Sequence, residues 1–377
     1  MLIYFAVILF CLFLSIFKLP KSIENFALLI IAIFLCCGYM TGSDWYNYEQ
    51  YYTNPDYSKQ LAKLEFGYVW VQTFFSKIGV DFWLFHIAAK LLVFYALVSF
   101  IRSFNVNIFL FLAFFIPEVG FYLFIDCPFR NLIALGFSFI AFKNLFENKT
   151  TNFFIFALIA MCFHLSAVIM IVFYFVYKKN IKTLTVLIIS FILYVLAFNV
   201  DFLMTNIYIP LTEISSLISE RLKNYFLDPR YISEKISLGI FIRLFVLLVL
   251  LLFKETIISG DKKRQYVYNL SVIFLLIYPF GVTIKIFNRL SLFIVPFYIM
   301  CISYLLSSFT VKVNKYLLYT FFILLYLKQT YSLVTYDYKY VPYTNYINYV
   351  VKNEYPDIEY RHQYNPKHSS YKKHISN

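Results

Sequence analysis

The sequence predicts an all-α fold: a polytopic integral membrane helical bundle of about ten spans, with one or two re-entrant or broken helices and outer-face loops. Three observations carry that expectation. Hydrophobic residues make up 61% of the 377 positions, charged residues only 14%, and the mean hydropathy is +0.71, too little polar surface for a soluble domain of this length. The apolar runs are continuous rather than alternating, which selects spanning helices over a β-barrel. Lysines and arginines stand in short clusters between those runs, so the net charge of +13 reports membrane orientation and not a nucleic-acid partner.

The runs follow in order. Residues 1–17 form a first span closed by Lys18, Pro20 and Lys21, whose charge places that turn in the cytoplasm. No basic flank precedes the run and no small-residue cleavage site follows it, so it reads as a retained span. Residues 25–40 return outward and lead into a polar, aromatic stretch over 42–52. Glu65 opens a helix to about Ser76, too short for a comfortable span and expected to be re-entrant or interfacial, with Tyr68 and Trp70 at the boundary. Spans are expected at 81–101, 106–125 with a break near Pro117 and Glu118, and 131–146. Residues 152–177 have basic residues at both ends, which leaves two solutions: a helical hairpin turning at 164–166, or an ordinary span against the charge bias. Further spans are expected at 183–200, 236–253, 266–284, 290–308 and 316–334. The organisation is a single transmembrane bundle over 1–335, with outer loops at 41–65 and 201–233. A polar, Tyr-rich basic tail follows over 336–377.

Six cysteines lie mostly inside apolar segments without metal-ligand spacing and read as packing residues; no metal site and no cofactor is expected. No Gly-rich phosphate loop, G-x-S-x-G elbow, H-E-x-x-H pair or closely spaced pair of carboxylates in the spans is present. Those absences argue against a nucleotide-driven pump, a serine hydrolase and a zinc protease.

A few polar residues stand out. Asp44, Asn47, Tyr48 and Tyr51 share one face if the stretch coils, forming a set suited to sugar hydroxyls and ring faces. An aromatic interface belt with a solvated acid is the other reading. Arg130 lies at the outer end of a span, against the charge bias, and its planar fork suits a diphosphate; an ion pair with Asp126 or Glu118 is the alternative. His164 interrupts an apolar run with Ser166 two residues on, as a base or as a hydrogen-bonded structural residue. Lys285 and Arg289 also run against the charge bias and could complete a basic outer-leaflet pocket with Arg130.

These residues form a pattern: Gly42-x-Asp44-x-x-Asn47-Tyr48-x-x-Tyr51, then Glu65-x-Gly67-Tyr68, Arg130-Asn131-x-Ile133-Ala134 and His164-x-Ser166-Ala167. Arg289 at the head of a late span and Pro342-Tyr343 in the tail complete it. In that order, over nearly the whole chain, the sequence resembles the EpsG family of bacterial membrane proteins, related to the Wzy-type polymerases of surface polysaccharide. Phe66 departs from the proline expected after the glutamate.

The resemblance implies a multi-pass protein of the bacterial inner membrane that polymerises oligosaccharide repeat units at its outer face into capsule, O-antigen or exopolysaccharide. Donor and acceptor would both be carried on undecaprenyl diphosphate; a chain-length regulator and a flippase are left open as further partners, and no nucleic acid is expected. For such a reaction Arg130 and Arg289 are expected at the diphosphate and Asp44 or His164 as base, with Asn47, Tyr48, Tyr51, Glu65, Tyr68, Lys285 and Tyr343 around the substrate. A membrane acyltransferase acting on the same glycans and a lipid-linked glycan flippase or transporter are the alternative functions.

Overall fold

The structure is a computed structural model describing residues 1–54, 65–203, 206, 237–309 and 311–368. The expected outer loop over 201–233, apart from its first residues, and residues 55–64 of the first loop lie outside the described residues. Among the described residues every regular element is helical, with one isolated antiparallel bridge. Three helices among the described residues are long and apolar enough to cross a membrane, and several shorter apolar ones accompany them. The chain divides into two compact units, residues 1–168 with 310–377, and residues 169–309.

The first unit begins with α1 (Leu2–Ser15) and α2 (Lys21–Cys36), followed by the short α3 (Trp45–Thr53). Next come α4 (Phe66–Lys77) and α5 (Phe82–Ile101). The start of α5 is fixed by Asp81, whose carboxylate accepts the Trp83 and Leu84 N–H groups at 2.8 and 3.2 Å. Asn107 caps α6 (Ile108–Phe115) in the same way, and all eight residues of that helix are buried, making it the centre of the unit. Beyond it the sequence suggests a break at Pro117, but the chain instead widens into two π-helical turns, Ile116–Gly120 and Tyr122–Asp126. Proline has no N–H to give to the preceding turn, and a wider turn absorbs that loss without ending the helix.

Cys127 in the left-handed region and Pro128 then restart the chain as α7 (Phe129–Phe146), which is joined to α8 (Thr150–Phe163) through left-handed Asn148. Helix α8 ends where His164 turns extended, with φ −153° and ψ 122°, and a 3₁₀ turn follows over Leu165–Val168. Two glycines set the helix packing. A Cβ on Gly67 would stand 3.0 Å from the Cys162 carbonyl oxygen, bringing α4 against the end of α8, and one on Gly136 would meet Val93 at 2.9 Å, bringing α5 against α7. Tyr68 is fully buried and points inward, whereas Trp70 is 81% exposed, so only the tryptophan has the outward placement expected of a boundary residue.

The second unit holds α9 (Ile169–Val176), α10 (Thr183–Phe198), α11 (Leu238–Leu252), α12 (Lys262–Thr283), α13 (Lys285–Ser291) and α14 (Val295–Ser308). Its α12 packs against α10, α11, α13 and α14. Polar ties inside this unit include Asn269, which donates to the Tyr177 and Lys179 carbonyls at 2.7 and 2.8 Å. Arg243, buried within α11, donates to the Tyr298 hydroxyl at 3.0 Å.

The chain re-enters the first unit as α15 (Lys312–Tyr336), a 3₁₀ turn over Tyr338–Tyr340, α16 (Tyr346–Lys352) and α17 (Ile358–His368). The described part of the tail is docked. The Tyr39 N–H donates to the Thr344 carbonyl at 3.0 Å and the Tyr346 N–H to the Cys37 carbonyl at 2.8 Å, forming the bridge between Gly38 and Asn345. The tail and the loop after α2 therefore share one end of the first unit.

Candidate functional site

The loop after α2 is held by a glycine that no other residue can replace without strain. Gly42 has φ +87°, and a Cβ there would lie 2.5 Å from the Ile125 carbonyl oxygen and 2.7 Å from the Asp126 Cα. That close approach lets Asp126 Oδ1 accept both the Ser43 N–H and the Ser43 hydroxyl at 2.8 Å. The other carboxylate oxygen takes the Lys339 ammonium at 3.1 Å, while the Lys339 carbonyl accepts the Gly42 N–H at 2.8 Å and the Asn365 amide at 2.9 Å. Burial alone would lower the Lys339 pKa, but Asp126 and Asp337 outweigh it and hold the ammonium above its usual value. One knot thus joins the loop, the end of the π-helical segment and the tail.

Beside this knot α3 coils as the residue spacing suggests, with Asp44 at its N-cap and no capping bond from that side chain. Tyr48 is buried, Tyr51 half-buried and Asn47 exposed, so of the four residues expected on one face the amide turns to the outside. The charge of Asp44 reaches Tyr48 on one side and Lys339 on the other.

The Tyr48 hydroxyl accepts the Arg130 Nε–H at 3.3 Å, and the Arg130 Nη1 is ion-paired with Glu65 Oε2. Glu65 is only 3% exposed and stands at the N-cap of α4. Its Oε1 lies 3.9 Å from His164 Nδ1. One buried carboxylate therefore faces a guanidinium from α7 and an imidazole from the end of α8. The sequence offers Asp126 or Glu118 as the pairing acid for Arg130; the described partner is Glu65, and Asp126 is taken by Lys339. Burial pushes the Tyr48 phenol up, with Arg130 opposing, so this hydroxyl stays protonated at neutral pH.

His164 also closes a local turn. Its Nδ1 accepts the Ser166 N–H at 3.2 Å and lies 2.9 Å from the Ser166 hydroxyl, which gives the His-x-Ser spacing a physical reason. A neutral ring with Nδ1 accepting carries its proton on Nε2 and presents a donor there.

Around this group the packing is aromatic. The Phe129 ring is 5.6 Å from Tyr48, 5.8 Å from Tyr68, 5.5 Å from Phe85 and 4.5 Å from His86. The Tyr68 hydroxyl, both side-chain polar atoms of Gln72 one turn on, and both of Asn131 are buried with no hydrogen-bond partner among the described residues. Native interiors rarely leave such groups unmatched unless a water, ion or ligand meets them.

Other residues singled out in the sequence lie elsewhere. The Tyr343 hydroxyl donates to the Phe34 carbonyl at 2.6 Å, and its ring packs 4.9 Å from Phe34, so its described contacts hold the tail onto α2. Arg289 is half-buried in α13 of the second unit, and the Lys285 side chain lies outside the described residues. Among the described residues no three His, Cys, Asp or Glu side chains gather as a metal site.

One strong pair was invisible in the sequence. Arg361 of α17 donates to both oxygens of Glu49 at 2.8 and 3.0 Å, with its guanidinium 5.7, 5.5 and 5.9 Å from the rings of Tyr39, Trp45 and Trp83. No spacing rule links positions so far apart; only an arginine in a tail rich in aromatics hints at it.

The model of the EpsG family matches residues 22–348 of this chain. No curated protein and no solved structure matches it.

Proposed function

As the chain belongs to the EpsG family, we propose that it is a membrane glycosyltransferase that polymerises undecaprenyl-diphosphate-linked repeat units into surface polysaccharide at the outer face of the bacterial inner membrane. The observation that carries this reading is Glu65, buried between Arg130 and His164, which gathers three of the family's motif positions from distant parts of the chain into one group.

The reaction joins two lipid-linked glycans. A hydroxyl of the acceptor attacks the anomeric carbon of the donor; the new glycosidic C–O bond forms as the anomeric C–O bond to the diphosphate breaks. The hydroxyl proton passes to a base, and the lipid diphosphate leaves with the bonding electron pair. Arg130 is suited to the leaving group, because Glu65 and Tyr48 engage two of its three nitrogens and orient the guanidinium while the residue stays 22% exposed. Since Glu65 already balances one positive charge, a diphosphate calls for further cations. Asp44, whose charge reaches the Tyr48 hydroxyl beside Arg130, is assigned as the base, since the Nδ1 of His164 is occupied by Ser166. His164 then serves as an Nε2–H donor to the substrate. The unmatched Tyr68, Gln72 and Asn131 side chains are suited to sugar hydroxyls or the waters around them.

The glycolipid that accumulates in a deletion strain tests the reaction class. Single repeat units on lipid at the outer leaflet are expected. Units trapped on the inner leaflet would instead identify a flippase, and full-length chains lacking acyl groups an acyltransferase.

A further inference from the structure

The first unit contains an apolar cavity of about 710 Å³ that no step of the reaction uses. Its floor is formed by α5 and α7, held together where Gly136 meets Val93, with Val71 and Phe75 of α4 forming a wall. Two features give it a direction. On α7 the lining begins at Ile133, about one turn after Arg130, and runs on through Gly136, Phe137, Phe139 and Ile140 to Lys143. Phe163, which precedes His164, and Phe85, which packs on Phe129, line it as well. The cavity therefore begins beside the Arg130, Glu65 and His164 group and runs away from it toward Lys143.

Its length decides what fits. The lining of α5 runs from Leu84 to Phe100, which at the helical rise is about 24 Å. The hydrocarbon core of a bilayer is ~30 Å thick, so the tail of an ordinary lipid, confined to one leaflet, covers only ~15 Å. A single apolar chain longer than one leaflet, with an anionic head at Arg130, matches both the reach and the charge.

We infer that this groove holds the polyprenyl chain of the lipid-linked substrate, so that the chain length of the carrier, and not only its diphosphate, is recognised. This inference rests on the proposed lipid-diphosphate substrate. Leu92 and Tyr95, at the rim, are 69% and 71% exposed, which leaves the groove open sideways for a chain to enter from the membrane. Ala89 and Ala96 on its floor provide the width.

The test uses the full chain in phosphatidylcholine nanodiscs, with binding of undecaprenyl diphosphate and of farnesyl diphosphate measured separately. The long-chain probe is expected to bind at least about tenfold more tightly. Ala96→Trp should erase that advantage while leaving farnesyl diphosphate binding within about twofold. In case tryptophan disturbs insertion, Ala89→Cys, alkylated with a benzyl maleimide after folding, blocks the same groove; the parent receives the same treatment as control. A long-chain advantage that survives both blocks, or a parent with no chain-length preference, overturns the inference. A parent that binds neither diphosphate overturns the substrate reading along with it. A parent that binds both with the expected preference in a strain whose deletion shows no polymerisation defect leaves the groove standing and removes the reaction.

Discussion

Arg361 and Glu49, separated by 312 positions in sequence, form a two-pronged ion pair under three aromatic rings, and this pair fastens the C-terminal helix to α3. Helix α3 carries Tyr48 and begins at Asp44, so the tail braces the element on which the proposed site is built.

Breaking this pair should loosen the tail. Removing one partner of a buried ion pair leaves the other charge uncompensated, at about 3–5 kcal/mol. Arg361→Ala is therefore expected to lower the thermal stability of the solubilised protein markedly. Glu49→Gln combined with Arg361→Met should recover most of that loss, because no buried charge is then left alone. Thermal unfolding of the single and double variants checks both statements.

Gly42 and Gly79 make a matched pair of left-handed glycines, at φ +87° and +78°, but only Gly42 has backbone atoms in the way of a Cβ. Gly79→Ala should cost about 1 kcal/mol of backbone strain alone. Gly42→Ala adds a collision with the Ile125 carbonyl oxygen and should leave little folded protein in the membrane. Quantifying membrane levels of the two variants side by side tests the contrast.

Arg130→Lys should behave almost like Arg130→Ala in polymer formation. A lysine has a single ammonium group and cannot meet Glu65 through one nitrogen and Tyr48 through another in the same planar fork. Recovery of long chains in the lysine variant would show that charge alone is enough.

The ion pairs of Lys339 give a pH dependence. Its pKa is raised on folding, so its contribution to stability is complete below the ordinary lysine value of 10.5 and is lost as pH rises through the higher folded value. Lys339→Met should lower stability at neutral pH and flatten the alkaline limb relative to the parent. The difference between the two unfolding profiles, rather than either alone, carries the test, because tyrosines titrate in the same range.

The sequence made the helices legible where local physics decides them. The apolar runs mark the helices, three of which, among the described residues, are long and apolar enough to cross a membrane. The short helix after Glu65 and the interruption at His164 are also visible, the first by its length and the second as a polar residue in an apolar run. What stayed hidden depends on long-range pairing: the partnership of Arg130 with Glu65, of Asp126 with Lys339 and of Glu49 with Arg361. Periodicity says which face a residue occupies, not which distant residue meets it. Pro117 likewise suggests a break, because a π-helical turn leaves no mark of its own in the pattern.

The most direct test of the central claim is the chain-length distribution of surface polysaccharide from cells whose only copy carries Arg130→Ala, with the membrane level of the protein measured in parallel. Single lipid-linked repeat units and no long chains, at an undiminished protein level, are the expected result. Long chains of normal distribution at that same protein level would contradict it.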